Sequence, residues 1–275
     1  MMTMNKIKNI QFCILSEKEI EENSVVEVEH YELYEKGFPK ACGLYDLRMG
    51  TTDKQFRCQT CSGDVISCPG HFGHIKLEEH IYNILYFKTC YKVLQCICLK
   101  CSKILNINVK KVSKENNIQL KHCLDNTKKL MTCTYCQFKQ PKLSIDNGKI
   151  CMLEDQEMTV LTGIMTYQIF RKLTDEDCKI LGFNPQFSHP KNMLFKNLPV
   201  PPPVVRPSVI VDSVMKSQDD LTHKLTEILK CNHTFTKQKK KNKDSNIVNE
   251  FRNLLQFHVN SYIDNEIPGQ PQATR

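Results

Sequence analysis

Cys58-Gln59-Thr60-Cys61-Ser62-Gly63-Asp64-Val65-Ile66-Ser67-Cys68-Pro69-Gly70-His71 is the stretch on which the reading of this 275-residue chain turns. A C-x2-C pair fits a turn whose two thiolates face one ion, and Cys68-x2-His71 adds two more donors within fourteen positions. Tetrahedral zinc takes four such donors, with Zn–S near about 2.3 Å and Zn–N near about 2.0 Å. Gly63, Pro69, Gly70 and Gly73 permit the tight turns this demands. His74 is a rival fourth ligand, although the x2 spacing favours His71.

Working outward, Cys98-Leu99-Lys100-Cys101 and Cys133-Thr134-Tyr135-Cys136 form a second set, separated by the 31 residues 102–132. Two C-x2-C pairs read as a zinc ribbon, each giving two thiolates to one ion. Cys96 lies outside that pair and is not needed. Both sites are closed by four protein ligands, so a zinc hydrolase, which keeps a position for water, is excluded. The H-E-x-x-H and H-x-E…P-C-x-x-C patterns are absent as well. Two structural zinc ions are therefore expected, each contributing about 10–16 kcal/mol to folding a small, loop-rich lobe. Cys13, Cys42, Cys90, Cys123, Cys151, Cys178 and Cys231 have no partner at ligand spacing and are expected as small core apolar residues.

Composition agrees. Hydrophobic residues make up 40% and charged residues 25%, which suits a globular chain and not a disordered one. No run approaches eighteen apolar residues, so no membrane span is expected. The start, Met1-Met2-Thr3-Met4-Asn5-Lys6, carries no apolar segment and no cleavage site, which argues against secretion and for an intracellular chain. There, the 15 cysteines stay reduced. A net charge of +8 leans toward polyanionic partners.

The remaining chain supplies helices and one stiff strip. Met165, Ile169, Phe170 and Leu173 fall at helical spacing; Thr174 then caps a second short helix with Asp175-Glu176-Asp177 in its first turn and Gly182 at its end. Five prolines within 198–208 rule out a helix there and force an extended path. Arg206, inside that strip, is a candidate phosphate contact. Leu221, Leu225, Ile228 and Leu229 form one apolar helical stripe, and Ile247, Phe251, Leu254, Leu255, His258 and Tyr262 a second. Between them the polar stretch Asn232–Asn246, with Lys237, Lys239, Lys240, Lys241 and Lys243, reads as the charged tip of an antiparallel helical hairpin. Lys239, Lys240 and Lys241 are candidate nucleic-acid contacts, against the plainer reading of a solvated loop.

These residues match a known family. Gly43-Leu44-Tyr45-Asp46-Leu47-Arg48-Met49-Gly50-Thr51, the first cysteine set and Phe72-Gly73-His74-Ile75 resemble the N-terminus of the largest subunit of multisubunit DNA-directed RNA polymerase, of the eukaryotic or large-DNA-virus type. The resemblance runs on through the second cysteine set, Leu181-Gly182-Phe183, His189-Pro190, Pro201-Pro202-Pro203-Val204-Val205-Arg206-Pro207-Ser208, Asp220-Leu221-Thr222, Leu254-Leu255-Gln256-Phe257-His258-Val259 and Gly269-Gln270-Pro271-Gln272.

The resemblance implies an α+β, zinc-stabilised clamp of several lobes, with small β-rich zinc lobes, short helices and a C-terminal helical hairpin. Residues 1–90 would be the clamp core with the first zinc, 91–185 the clamp head with the ribbon, and 186–275 a return to the core carrying the lid approach, the hairpin and the start of the rudder. Implied partners are the second-largest subunit, the remainder of the largest, DNA and the RNA–DNA hybrid, and transcription factors at the hairpin. The implied location is the nucleus, or host cytoplasm or virion for a virus. Leu47 stands where the family usually has Pro, and the segment between Cys136 and Tyr167 is short, implying a reduced head. The N-A-D-F-D-G-D motif whose aspartates hold Mg is absent, so Mg belongs to the complete enzyme only. The chain is thus expected to be a piece of a split subunit, or a fragment. The alternative is a stand-alone zinc protein that binds nucleic acid or transcription factors.

Overall fold

The computed structural model describes residues 10, 12–106, 116–127, 130–154, 157–210, 216–241, 246–267 and 272. Helix α1 (Glu17–Glu22) comes first, followed by the short paired strands β1 (Tyr34–Glu35) and β2 (Phe38–Pro39) and the long strand β3 (Gly73–Tyr82). Helices α2 (Phe87–Cys96) and α3 (Asn116–Thr127) lead to a three-stranded antiparallel sheet of β4 (Lys142–Asp146), β5 (Lys149–Glu154) and β6 (Glu157–Val160). Then come α4 (Gly163–Phe170), α5 (Asp175–Leu181), β7 (Leu194–Val200), the pair β8 (Val209–Ile210) and β9 (Lys216–Ser217), and the long helices α6 (Asp220–Lys241) and α7 (Asn246–Ile263). The fold is α+β, with small sheets and several helices. No described helix is long and apolar enough to cross a membrane.

Local chemistry sets the ends of the short helices. Ser16 and Thr174 each cap a helix reciprocally with the acid three residues on, Glu19 and Asp177. Gly182 closes α5 in the left-handed region at φ 92°. Gly163 starts α4 where any Cβ would run into the His80 carbonyl, so the helix can approach β3 only as glycine.

Strands β3 and β7 pair antiparallel and pass through both main cores. Ile75, Leu77, Ile81, Leu198 and Val200 join Met49, Leu225, Ile228, Phe235, Leu255 and Val259 in the first core. Tyr82 and Leu194 join α2, α4 and α5 in the second, around Val93, Leu94, Phe170 and Leu181.

The long helices lie on β3. Glu227 meets His258 and Cys231 meets Phe251, so their contacts run in opposite chain directions. Between Lys76 and Ile81 the β3–β7 register slips, and side-chain amides from both long helices satisfy β3 backbone groups. Asn232 accepts from the Glu78 N–H (2.8 Å) and donates to the Lys76 carbonyl (3.0 Å). Gln256 does the same at Tyr82, accepting at 3.0 Å and donating at 2.9 Å.

Several expectations change. The stretch from Asn232 is not a polar tip: α6 continues to Lys241 because Phe235 extends its buried face, and the lysines suit a helix C-terminus. The buried faces of both helices are also rotated. Leu221, Ile247 and Leu254 are exposed, whereas Thr222, Asn232, Val248 and Val259 are buried. Met165 is likewise exposed, and Thr166 turns inward to hydrogen-bond the Tyr82 hydroxyl. In the proline strip, Pro203–Val205 form one 3-10 turn, closed by Val205 N–H to the Pro202 carbonyl at 3.2 Å. Proline at the first turn loses no hydrogen bond, which is why the strip tolerates it. Cys13 is exposed, unlike the buried Cys90, Cys123, Cys151, Cys178 and Cys231; Cys42 is half-buried beside Arg48. Lys243 and the Gly269-Gln270-Pro271 stretch likened to the rudder lie outside the described residues.

Candidate metal centres

Three of the four half-sites are the same turn. At Cys58, Cys98 and Cys133 the cysteine N–H donates to the carbonyl five residues on, at 2.9, 2.8 and 2.9 Å. The residue after the second cysteine, Ser62, Ser102 or Gln137, donates back to the first cysteine's carbonyl and sits at φ 59°, 64° or 56°. This left-handed corner lets two sulfurs of a C-x2-C pair face one point. Backbone N–H groups then aim at sulfur: that of Thr60 lies 3.4 Å from Cys58 Sγ.

The fourth half-site is built differently. Gly70, at φ 81°, turns the chain between Cys68 and His71, its N–H lies 3.4 Å from Cys68 Sγ, and the His71 N–H is held by the Met49 carbonyl at 3.0 Å. A Cβ on Gly70 would stand 2.7 Å from the Pro202 ring, so the turn can pack on the proline strip only as glycine.

The geometry gathers two donor sets, Cys58, Cys61, Cys68 and His71, and Cys98, Cys101, Cys133 and Cys136, with the donor atoms of each within 4.8 Å of one another. Cys98 Sγ lies 3.5 Å from Cys136 Sγ and Cys101 Sγ 3.7 Å from Cys133 Sγ, close to the edge of about 3.8 Å that four sulfurs make around zinc. All are free thiols. His74 is elsewhere: it lies in β3, its Nδ1 2.8 Å from Ser24 Oγ and its Nε2 4.0 Å from Glu27.

Two observations test whether these residues fit a metal. The His71 Nε2 is buried with no hydrogen-bond partner among the described residues, which a coordinating ring nitrogen explains. The thiols also oppose one another. Burial pushes the Cys98 thiol up, but N–H groups of Cys101 and Lys100, the Gln140 amide and Cys136 outweigh it and leave it at about 7. Burial, with the neighbouring sulfurs, pushes Cys101 up to about 12. In the first set burial likewise opposes N–H groups from Cys61 and Thr60, which leave Cys58 low, whereas Cys68 is pushed up to about 11, chiefly by burial. Crowded thiols that cannot all ionise are what a divalent cation resolves, because cysteine binds metal as thiolate. Both sets could hold metal ions and are compatible with zinc.

Arg206 does not face solvent. It is 0% exposed and donates to the Pro201 carbonyl (2.9 Å), to Thr222 Oγ1 (3.1 Å) and to the Leu44 carbonyl, with its guanidinium 5.5 Å from the Tyr45 ring. A phosphate cannot reach it, and its role is to tie the strip to α6 and the 44–45 turn. Lys239 is committed too, paired with Glu78 at 3.0 Å and Glu79 at 3.1 Å. Lys240 and Lys241 stand exposed on the last turn of α6.

Spacing alone did not reveal the supporting residues. Gln140 reaches Cys98 Sγ at 3.2 Å and accepts from the Leu99 N–H at 3.1 Å. Thr60 Oγ1 donates to the Arg48 carbonyl at 2.7 Å. Arg252 bonds the buried Glu79 at 2.6 and 3.2 Å.

Residues 4–275 match the protein family described as RNA polymerase Rpb1, domain 1. The chain is 36% identical over 295 aligned residues to a protein of Euplotoides octocarinatus named DNA-directed RNA polymerase II subunit RPB1, covering 98% of this chain and 61% of that relative. The chain thus spans somewhat under two thirds of the relative it matches. The collinear motifs, the two donor sets and the match over nearly every residue agree: this chain belongs to the Rpb1 domain 1 family and is an N-terminal part of a largest RNA polymerase subunit.

Proposed function

We propose that the chain is the clamp portion of a DNA-directed RNA polymerase, a component of a nucleotidyltransferase that holds DNA and the RNA–DNA hybrid and makes no bonds itself. The observation that carries this reading is the pair of closed four-donor sets within a chain of the largest-subunit family. A closed set leaves no position for a reacting water, so its metal serves shape. Cys58, Cys61, Cys68 and His71 would hold one zinc and Cys98, Cys101, Cys133 and Cys136 the other, each ion cross-linking its turns. Mg would be held by aspartates outside these 275 residues, since no D-x-D-x-D run occurs among them.

In this reading residues 1–90 and 186–275 share the clamp core and 91–185 form the head. Helices α6 and α7 make an antiparallel hairpin that transcription factors dock on. Lys240 and Lys241, exposed at its far end, would serve phosphates or an acidic factor, while Arg206 and Lys239 hold the frame. The second-largest subunit and the rest of the largest are the partners, and the nucleus, or the host cytoplasm or virion for a virus, is the location. The stand-alone binding protein is not favoured by the family match.

The test is co-expression with a second-largest subunit followed by affinity capture. Stoichiometric recovery of both is expected, with hybrid binding that weakens steeply between low and moderate salt and shows little sequence preference. Recovery of this chain alone, with salt-insensitive binding, would overturn the proposal.

A further inference from the structure

We propose that Cys61 is a peroxide-oxidisable site, so that the first metal centre is a redox-labile one and the second is not. The inference rests on the reading that both donor sets hold zinc. Of the seven cysteine donors, Cys58, Cys68, Cys98 and Cys133 are buried, Cys101 and Cys136 are half-buried, and Cys61 alone is exposed. Reactivity of a thiolate toward oxidants follows exposure once it is ionised, and a metal keeps all donors ionised.

The two surroundings differ in the same direction. At the second centre the Gln140 amide covers Cys98 Sγ at 3.2 Å, and Phe138, Leu130 and Leu105 pack on the sulfurs. At the first, the Cys61 turn continues into the open segment that carries Ile66, which is 95% exposed. Two further thiols stand ready beside Cys61: Cys58 Sγ and Cys68 Sγ lie within 4.8 Å of it.

The chemistry balances with a hydroperoxide as oxidant. The Cys61 thiolate attacks one peroxide oxygen, the O–O bond breaks, and Cys61 becomes a sulfenic acid as hydroxide leaves. The Cys58 or Cys68 thiolate then displaces the second hydroxide and forms an S–S bond. Two thiolates have given two electrons to one hydrogen peroxide, and a site left with two donors releases its ion. The release reaches beyond the site, because the Gly70 turn rests on Pro202, and Arg206 binds the Pro201 carbonyl next to it. Oxidation of Cys61 therefore loosens the Gly70 turn against which Pro202 packs.

The experiment uses the full chain carrying Cys13→Ser, which removes the exposed thiol outside both sets. Zinc content before treatment tests the underlying reading: two ions per chain are required. Hydrogen peroxide is then added, released zinc is followed with a chelating dye, and thiols are trapped and mapped by mass spectrometry. One zinc should leave at least about tenfold faster than the other, with a disulfide joining Cys61 to Cys58 or Cys68. Cys61→His, which keeps a donor but has no thiol, should hold two zinc ions and lose the fast phase. Two ions released at equal rates, earlier loss from the second centre, or a map without Cys61 would overturn the proposal. Should Cys61→His fail to load zinc, the map on the unaltered site still decides.

Discussion

At Cys58, Cys98 and Cys133 the chain closes one and the same turn, yet the lobes around the two donor sets are supported in different ways. The first is pinned to the main core: Gln59 N–H and Thr60 Oγ1 donate to the Leu47 and Arg48 carbonyls at 3.0 and 2.7 Å, and His71 N–H to that of Met49, which is itself fully buried. Among the described residues, the second has a cluster of seven apolar residues around it, of which four, Cys98, Cys101, Cys133 and Cys136, are the donors themselves. Its link to the second core is the Ile97–Ile104 bridge and the Leu105 N–H to Cys96 carbonyl bond at 3.0 Å. The same chemistry thus does two jobs. With zinc bound as proposed, the ion would fix in the first lobe the orientation of turns that the core already holds, and in the second would replace a core too small to fold alone.

Removing one donor from each side breaks this comparison most directly. Cys133→Ser should cost one of two zinc ions and abolish hydrogen-exchange protection across residues 97–105 and 130–140, because about 10–16 kcal/mol of metal binding leaves with nothing behind it. Cys58→Ser should also cost one ion, but protection at Leu47–Met49 should persist, held by the main core. Equal losses of protection on both sides would show that the pinning bonds contribute little.

The tie between the first lobe and the rest can be cut separately. Arg206→Met leaves the Leu44 and Pro201 carbonyls and Thr222 without their buried donor, and should destabilise the chain by about 3–5 kcal/mol in denaturant unfolding. Zinc content and the salt slope of nucleic-acid binding should not change, since no phosphate reaches this residue. A smaller effect, about 1–3 kcal/mol, is expected for Gly70→Ala, which adds a Cβ at φ 81° against Pro202. A Gly70→Ala protein as stable as the parent would mean that the strip yields at this contact.

The sequence made the metal sites legible because their chemistry is local. C-x2-C spacing specifies a turn whatever polar residue, Ser62, Ser102 or Gln137, takes the left-handed corner after it, and all eight donors come together as the spacing implied. Caps at Thr174 and Gly182 were legible for the same reason. What spacing cannot carry is the identity of the surface each helix meets. Asn232 sat in the stretch read as a polar tip, yet its amide, like that of Gln256, bonds the β3 backbone, a pairing that no periodicity of the helices reveals. Arg206 looked like a free cation for the converse reason: its acceptors at Leu44 and Thr222 are distant in sequence. Long-range polar pairing turned both kinds of residue inward, and it decided the helical faces as well.

The smallest expected effect separates the two histidines that compete on spacing. His71→Gln should lose one zinc, whereas His74→Gln should keep both, since the His74 ring faces Ser24 and Glu27 and not the sulfurs. His74 instead answers to pH. Burial holds its pKa below the ordinary imidazole value of 6.5, against the pull of Glu27 and Glu21. The unfolded chain therefore takes up a proton near 6.5 that the folded chain refuses, so this contribution is complete at neutral pH and is lost as pH falls below 6.5. Burial depresses His189 and His258 in the same way, so the parent protein should unfold at lower denaturant concentration at pH 5.5 than at pH 7.5. Thiolate protonation would shed zinc in the same direction, so zinc is measured at each pH and only points with two ions are compared. His74→Gln should then show a shallower decline than the parent; a decline of equal steepness would place the acid sensitivity on the other two histidines.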